Sequence, residues 1–452
     1  MQNTAIMQNE MVIPVDYKLT GVGVIPEDWD LVQLGQVFSL KNGYAFKGEH
    51  FSDTGPIVLT PGNFKLEGGL YFESRNTKRY SSTYPKSYEL DKDDLVIVMT
   101  DLTSNCNLLG KPALVDEDEK LLLNQRIGKV ENLVRSWDKK FLYYFLLSSS
   151  YLSTIKDSAT GSTVRHTSPR VILGTWAIKP CKEEQIAIAN VLSDTDALIT
   201  ELEKLIIKKQ AIKTATMQQL LTGGTRLPQF AKKPNETLKG YKTSELGMIP
   251  EDWEAKPFGE LFESSLHHRT MLKEDIVSFV GMQDVSENAQ LIEQSQLSFS
   301  EVKGGFTYFE KGDVLVAKIT PCFENGKGCH TESLLTDIGF GSTEFHVLRA
   351  KKSSHSKFIY YWTTNTNLRK VLESEMVGSA GHRRVPLSAI QNYLIPCPQT
   401  KIEQTAIATI LSDMDDELEA LEQKLSKIRD IKQGMMQQLL TGRIRLPLEQ
   451  QP

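Results

Sequence analysis

Two stretches decide how this chain folds: Glu184-Gln185-Ile186-Ala187-Ile188-Ala189-Asn190-Val191-Leu192-Ser193-Asp194, and its near copy Glu403-Gln404-Thr405-Ala406-Ile407-Ala408-Thr409-Ile410-Leu411-Ser412-Asp413. Each opens a long run that closes on the same words, Gln218-Gln219-Leu220-Leu221-Thr222-Gly223 and Gln437-Gln438-Leu439-Leu440-Thr441-Gly442. In the second run Ile407, Leu411, Met414, Leu418, Leu421, Leu425, Ile428, Met435 and Leu439 fall at alternating steps of four and three, with only Lys432 interrupting. That spacing lines one face of a helix with apolar side chains, as in a coiled-coil seam. The first run holds Ile188, Leu192, Ile199, Leu202 and Ile206 in the equivalent places, but Lys209, Lys213 and Thr216 break its later half, so its seam is expected to be weaker or mixed. The glycine after each run and the proline soon after it are helix stops. Each helix is expected to have about 38 residues and to reach roughly 57 Å at 1.5 Å per residue.

Outward from the helices, the duplication continues. Tyr17-Lys18, Gly23, Ile25-Pro26-Glu27-Asp28-Trp29, Gly35 and Phe38 recur as Tyr241-Lys242, Gly247, Ile249-Pro250-Glu251-Asp252-Trp253, Gly259 and Phe262. Arg226-Leu227-Pro228 recurs as Arg445-Leu446-Pro447. The chain is therefore two copies of one plan, a variable domain followed by a constant helix, and such a plan predicts pseudo-twofold symmetry. The interiors agree far less, sharing mainly Ser158, Ala159 and Gly161 against Ser379, Ala380 and Gly381. Constant frames around divergent contents fit two modules that bind different targets, or a duplicated fold whose loops have drifted. One seam packed on the other would hold the variable domains at a fixed separation; the alternative is that each helix packs only on its own domain. Runs such as 95–99 and 314–317 read as strands, and 140–147 and 357–362 as helices, so the variable domains are mixed. The turn-rich, charged stretch from 225 to 240 reads as a linker. Trp29 and Trp253 read as core anchors.

At 452 residues, with 40% hydrophobic and 24% charged residues, the chain can bury two or three cores and carries no sign of general disorder. Lys and Arg number 52 against 57 Asp and Glu, a net charge of −5, so no chain-wide basic field marks a nucleic-acid partner, and positive charge for one must be local. The cysteines Cys106, Cys181, Cys322, Cys329 and Cys397 are odd in number and scattered, which points to reduced thiols. Cys322, Cys329 and His330 raise zinc, but no second ligand cluster follows them. Neither a leader pattern at the N-terminus nor an apolar run of membrane-spanning length is present, and a cytoplasmic location is expected.

Catalytic motifs are missing from the sequence. There is no phosphate-binding loop ending in Gly-Lys-Ser/Thr, no dinucleotide fingerprint after a strand, and no Asn-Pro-Pro-aromatic tetrapeptide of an amino-methyltransferase. Asp284 with Glu301-Val302-Lys303 can be forced into a metal-nuclease pattern, but the other copy has no counterpart. The expectation is a chain that is not an enzyme, with no catalytic, cofactor-binding or metal-binding residues of its own.

With these features together, the sequence closely resembles the specificity subunit of Type I restriction-modification enzymes. The resemblance is carried by the duplicated Ile-Pro-Glu-Asp-Trp, Gly43-Tyr44-Ala45-Phe46-Lys47, Asp94-Leu95, Asn124-Gln125-Arg126, Gly312-Asp313-Val314-Leu315-Val316, Gly341-Ser342-Thr343-Glu344-Phe345 and the two constant helices, and it spans nearly the whole chain. The second copy departs at the Gly43–Lys47 motif, having Ser264-Ser265-Leu266-His267-His268 nearby. The resemblance implies an α+β chain with two α/β target-recognition domains, separated by two long helices packed as an antiparallel coiled coil in a pseudo-twofold arrangement. The division expected is an N-terminal extension (1–16), first recognition domain (17–180), first spacer helix (181–224), linker (225–240), second recognition domain (241–398), second spacer helix (399–442) and tail (443–452). It further implies double-stranded DNA as ligand, each domain reading half of a bipartite site, with the helices setting the spacer. Two methyltransferase subunits carrying S-adenosylmethionine would dock beside the helices and methylate adenine. Two motor-nuclease subunits using ATP and Mg would complete the restriction form.

Base reading needs Arg, Lys, Asn, Gln, Ser and Thr side chains on loops of a rigid frame, with further basic groups on phosphates. In the first domain the candidates are Lys41, Asn42, Tyr44, Lys47, Arg75, Lys78, Arg79, Thr103, Asn105, Arg126 and Arg165. In the second they are His267, His268, Arg269, Lys318, Thr320, Asn325, Lys327, His382, Arg383 and Arg384. Leu192, Ile199, Leu202, Ile206, Leu411, Met414, Leu418, Leu421, Leu425 and Ile428 are the candidate helix and subunit interface.

Overall fold

The computed structural model describes residues 13–103, 105–302, 304–379 and 381–447; most of the expected N-terminal extension, half of the tail, Lys303 of the Glu-x-Lys triplet and Ala380 lie outside the described residues. The chain forms two compact units, Met1–Leu202 with Lys424–Pro452, and Glu203–Gln423. The long helices are Lys182–Thr222 and Lys401–Leu439, with 41 and 39 residues. Each unit thus contains one variable domain, the opening part of its own copy's helix and the closing part of the other copy's helix.

In the first unit a four-stranded sheet runs in the order 112–114, 95–98, 127–131, 39–42, and a second in the order 79–80, 51–59, 121–123, 89–90. Leu95–Val98 is buried at every position, which is why its residues are an unbroken apolar run rather than an alternating one. The second unit repeats this plan with one strand fewer: 328–330, 314–317, 345–348 in one sheet, and 295–298, 276–280, 338–341, 307–310 in the other. In both units a parallel pair joins the second sheet, 57–59 with 121–123 and 278–280 with 339–341. The missing strand is the counterpart of Ser39–Asn42, which leads into the Gly43–Lys47 motif of the first copy. The local departure in sequence is therefore a departure in sheet architecture. Helices Lys139–Leu146 and Ser356–Thr364 stand where the two domains meet the long helices, the first capped by the Asp138 side chain on the Phe141 amide.

Helix pairing is antiparallel within each unit. In the first, Asp196 of one long helix meets Lys432 of the other, and Ile188, Leu192, Leu439 and Leu440 share a core with Trp29. In the second, Lys209 meets Glu417 and Lys213 meets Asp415, so numbers rise along one helix as they fall along the other. Of the apolar positions read from the sequence, Leu192, Leu202, Ile206, Leu411, Leu418 and Leu425 are buried, while Ile199, Met414, Leu421 and Ile428 are half-buried. The lysines that interrupt the seam are ion-paired to carboxylates of the facing helix, so the break in apolar pattern marks a polar lock and not an empty stretch.

Candidate nucleic-acid interface

Each recognition domain is fixed to its helices by a clasp made from both copies of the repeat. In the first unit Arg445, from the Arg-Leu-Pro after the second helix, forks onto Asp28 at 2.9 Å through both terminal nitrogens and also binds Glu184. Its guanidinium lies 5.4 Å from the Trp29 ring, and the Trp29 indole N–H donates to Glu184 Oε2 at 2.9 Å. In the second unit Arg226 forks onto Asp252 at 2.7 and 3.3 Å and onto Glu403 at 2.9 and 3.1 Å, 5.5 Å from the Trp253 ring. Here both Glu403 oxygens accept from Arg226, and the buried Trp253 indole nitrogen faces Glu403 without the well-formed hydrogen bond that Trp29 makes to Glu184. Burial is the largest influence on Glu403 and pushes its carboxyl above the ordinary range despite Arg226.

The glycine stops belong to the same clasps. Gly223 (φ +73°) presses on Pro250 and Trp253, and Gly442 (φ +70°) on Pro26 and Trp29, so closely that an added Cβ would lie about 2.6 Å and 2.5 Å from the prolines. Tyr17 donates its hydroxyl to Gly442 O at 2.8 Å, and Tyr241 donates to Gly223 O at 3.2 Å. The constant glutamines make matching contacts in the two units. Gln185 accepts from the Asp138 amide at 2.8 Å, Gln404 accepts from the His355 amide at 3.0 Å, and each donates to the carbonyl of a proline at the end of its domain. Trp29 and Trp253 are 0% and 1% exposed, core anchors between domain and helix. Arg226 and Leu227 begin the stretch read as a linker, yet both are held in the second unit's clasp or core.

On these mounts each domain builds a corner from the same pieces. In the first, Thr100–Asp101 pairs with Arg165–His166 across a short ladder. Buried Asp101 accepts from the Thr103 amide and hydroxyl at 2.8 and 2.9 Å and from the Leu108 amide at 2.6 Å, which shapes the loop carrying Thr103 and Asn105. The Met99 amide bonds Arg126 O at 2.8 Å, and Gly43 and Tyr44 bond back to Ile127 and Leu123, so Asn42, Tyr44 and Arg126 join the same edge. In the second domain Ile319 bridges Arg384, and the Thr320 amide bonds Arg383 O at 2.9 Å, bringing together Lys318, Thr320, Arg383 and Arg384. Turns before these arginines need glycine: Gly161 (φ +93°) would put a Cβ 2.1 Å from Val164 O, and Gly378 (φ +125°) 2.7 Å from His382 O.

Several candidates are held within the protein. Lys41 donates to Ser87 O at 2.6 Å, with Glu131 at 3.7 Å and the Tyr88 ring at 5.3 Å. Arg79 pairs with Glu119, Arg269 with Glu310, and Arg384 with Glu344, each at 2.7 Å, while Arg383 meets Glu324 at 3.3 Å. Thr320 donates to Glu324 and Asn325 to Glu287, both at 2.9 Å, and Lys327 donates to Met282 O at 2.9 Å. Arg384 holds Glu344 below the ordinary carboxylate range through its hydrogen bonds. Asn42, Lys47, Lys78, Asn105, Arg126, His267 and His382 are exposed; Lys78 lies 5.9 Å from the Phe51 ring. Arg165 is half-buried, with its Nε lacking a partner.

Two sets do not join the corners. Arg75 pairs with Glu73 at 2.7 Å on a turn that Asn76 ties to Gly62. His268 and Arg269 lie against strand Thr307–Glu310, where His268 stacks on Tyr308 at 4.2 Å and the Arg269 amide donates to the Tyr308 hydroxyl at 3.3 Å, with His267 exposed beside them. Sequence reading missed Asp101, Glu324 and Glu344, the carboxylates that shape the corners; for Asp101 the signal was its hydroxyl neighbour two residues on, the pattern of a side-chain-to-backbone turn.

Among the described residues no group of three or more His, Cys, Asp and Glu is placed to hold a metal. Burial pushes the Cys329 thiol up to about 12. Asp284 and Glu301 are occupied as local turn acceptors for the amides of Gly281 and Ser298. No described helix is long and apolar enough to cross a membrane.

Comparison with known proteins gives a consistent result. The family described as Type I restriction modification DNA specificity domain matches residues 26–213 and 250–430. The Type I restriction enzyme EcoEI specificity subunit of Escherichia coli is 34% identical over 194 residues, 42% of this chain and 32% of that protein, so the match spans about a third of that relative. A putative Type I restriction enzyme MjaX specificity subunit of Methanocaldococcus jannaschii is 24% identical over 458 residues, covering 95% of this chain and 97% of that one. The crystal structure of a Type I restriction-modification S subunit from M. genitalium shares the fold, with a TM-score of 0.55 at 17% identity over 91% of this chain and 96% of that one. The duplicated frame, the two mixed domains and the family match over both halves establish that the chain belongs to the Type I restriction-modification DNA specificity subunit family.

Proposed function

We propose that this chain directs a Type I restriction-modification complex to DNA without performing chemistry itself. Each recognition domain reads one half of a bipartite double-stranded site, and the paired helices set the spacer between the halves. Two methyltransferase subunits, which supply S-adenosylmethionine, dock beside the helices and methylate adenine; two motor-nuclease subunits supply the ATP- and Mg-dependent restriction activity. The chain itself holds no cofactor in this reading. The observation that carries it is the pairing of like mounts with unlike contents. Both domains sit on the same Trp–Glu–Arg–Asp clasp, while the corner residues differ: Asp101 and Arg126 in one stand where Thr320 and Glu344 stand in the other, beside an arginine in each, Arg165 and Arg383. Exposed Lys47 and Lys78 suit phosphates, and Asn42, Asn105 and Arg126 suit base edges; Tyr44, Thr103 and Arg165 complete the first domain's proposed set. In the second, Lys318, His382, Arg383 and Arg384 are the proposed readers, with Arg–Glu pairs exchanging for DNA contacts.

The test is selection of bound duplexes from a random pool by the chain assembled with its methyltransferase subunit. Two fixed half-sites at one spacing support the proposal. A single contiguous site, or partner assembly with no sequence selection, overturns it in favour of a regulator or a structural protein.

A further inference from the structure

We propose that Lys213 and Lys432, two of the three lysines that interrupt the apolar seams, are positioning residues that fix helix register and thereby the permitted spacer; the inference rests on the targeting function above. In the first unit Lys432 Nζ lies 2.6 Å from Asp196 Oδ1, and the Tyr144 hydroxyl donates to Asp196 Oδ2 at 2.8 Å. In the second, Lys213 binds Asp415 Oδ1 and the Tyr361 hydroxyl donates to Asp415 Oδ2 at 2.8 Å. The two triads are equivalents under the repeat. In each, the tyrosine comes from the recognition domain, the aspartate from the opening part of the same copy's helix, and the lysine from the closing part of the other copy's helix. One carboxylate therefore reports on both the domain's seat and the register of the helix pair.

Apolar contact is non-directional, and a seam of leucines and isoleucines packs tolerably after a slip. A charge inside the seam favours the register that sets a counter-charge opposite it, the role that a polar group at a core position plays in coiled coils. One turn from Asp196 the facing helix offers Lys432 only Leu192 and Thr200, whereas one turn from Asp415 lie Leu411 and Glu419, so Lys432 is the stricter lock. The Lys432 side chain is 12% exposed, so in a slipped register its ammonium would be left largely without water or counter-charge. A slip of one turn is about 5.4 Å along the helix. That exceeds the roughly 3.4 Å rise of one base pair. Loss of the lock would thus admit spacers one or two base pairs from the correct length.

The experiment uses the full chain assembled with its methyltransferase subunit and a panel of duplexes carrying both half-sites at spacers from two base pairs short to two long. Wild type is expected to methylate one spacer. Lys213→Met with Lys432→Met replaces each ammonium by an apolar side chain, and Asp196 and Asp415, 34% and 24% exposed, keep contact with water and with a tyrosine hydroxyl, so the protein should stay folded. Its preference for the correct spacer should fall about tenfold while half-site sequence selectivity is unchanged. Asp196→Lys should broaden the profile on its own, and adding Lys432→Asp should restore it, which keeps the test decisive if the methionine protein fails to fold. A purely structural role predicts lower thermal stability with an unaltered spacer profile, and that result, or failure of the charge exchange to restore selectivity, overturns the inference. Wild-type complex without dependence on two half-sites would instead overturn the targeting function on which the inference rests.

Discussion

Replacing Arg226 by Met breaks the second unit's clasp and has a consequence that can be sized from the structure. The wild-type guanidinium makes four bonds to Glu403 and Asp252 and a fifth to Phe230 O at 3.1 Å. The side chains of Arg226 and Glu403 are 7% and 6% exposed, whereas Asp252 is 32% exposed. Asp252 can turn to water and keeps Lys239 at 2.7 Å; Glu403 is left a buried charge without its partner. Stranding such a charge costs about 3–5 kcal/mol. Adding Glu403→Gln removes the stranded charge, so the double variant should recover about 1–3 kcal/mol of the loss. Urea unfolding of the single and double variants gives the cycle, and native-state hydrogen exchange shows where the loss falls, which should be in Glu203–Gln423. A loss below about 1 kcal/mol for Arg226→Met would show that Glu403 is not stranded, since a buried partner cannot be abandoned so cheaply. No recovery on adding Glu403→Gln would point the same way, by showing that the carboxylate is not what suffers.

Four other outcomes follow, two from the clasp and two from exposed residues of the first domain. Gly223→Ala should cost at least about 1–2 kcal/mol from its left-handed backbone alone. Contact of the new methyl with Pro250 should add to that, and a thermal melt beside Gly174→Ala, where an added Cβ meets nothing within 4 Å, reads the difference. Burial works to raise the Asp252 carboxyl, but hydrogen bonds from Arg226 and Lys239 prevail and hold it at about 2, below its ordinary 3.8. Because the folded value is the lower one, this stabilisation is complete above the unfolded value and is lost as pH falls towards about 2. Glu403, raised by burial, changes in the opposite sense, so the difference in urea midpoint between wild type and Asp252→Asn across that window isolates the Asp252 share. On DNA, Lys47→Ala should lower the slope of log affinity against log salt by about 0.9 without changing the recognised sequence. Arg126→Ala should cost about 1–3 kcal/mol at one half-site and relax it; titration against matched and mismatched duplexes separates the two.

The periodic and repeated parts of this fold were legible in the sequence because they depend on local order. Heptad spacing placed two long helices, and the duplicated frame placed two like units. The meaning of individual constant residues was not legible, because their partners lie far away in the chain. Thr-Gly reads as a helix stop and Ile-Pro-Glu-Asp-Trp as a core anchor, yet Gly442 and Trp29 are one contact, as are Gly223 and Trp253. Lys213 and Lys432 read as flaws in a seam until Asp415 and Asp196 are found opposite them. At the corners, residue type nominated Arg383 and Arg384 but gave no warning that Glu324 and Glu344 already hold them. An ion pair between loops is set by three-dimensional closure, which no spacing rule encodes. The isolated position of Arg75 has the same cause.

Single-molecule methylome sequencing of cells expressing this chain with its cognate methyltransferase subunit, beside cells lacking only this chain, decides whether the chain selects the methylated sites. A methyladenine motif of two half-sites at one fixed spacer, vanishing without the chain, is the expected result. An unchanged methylome, with the methyltransferase subunit demonstrably active, would contradict it.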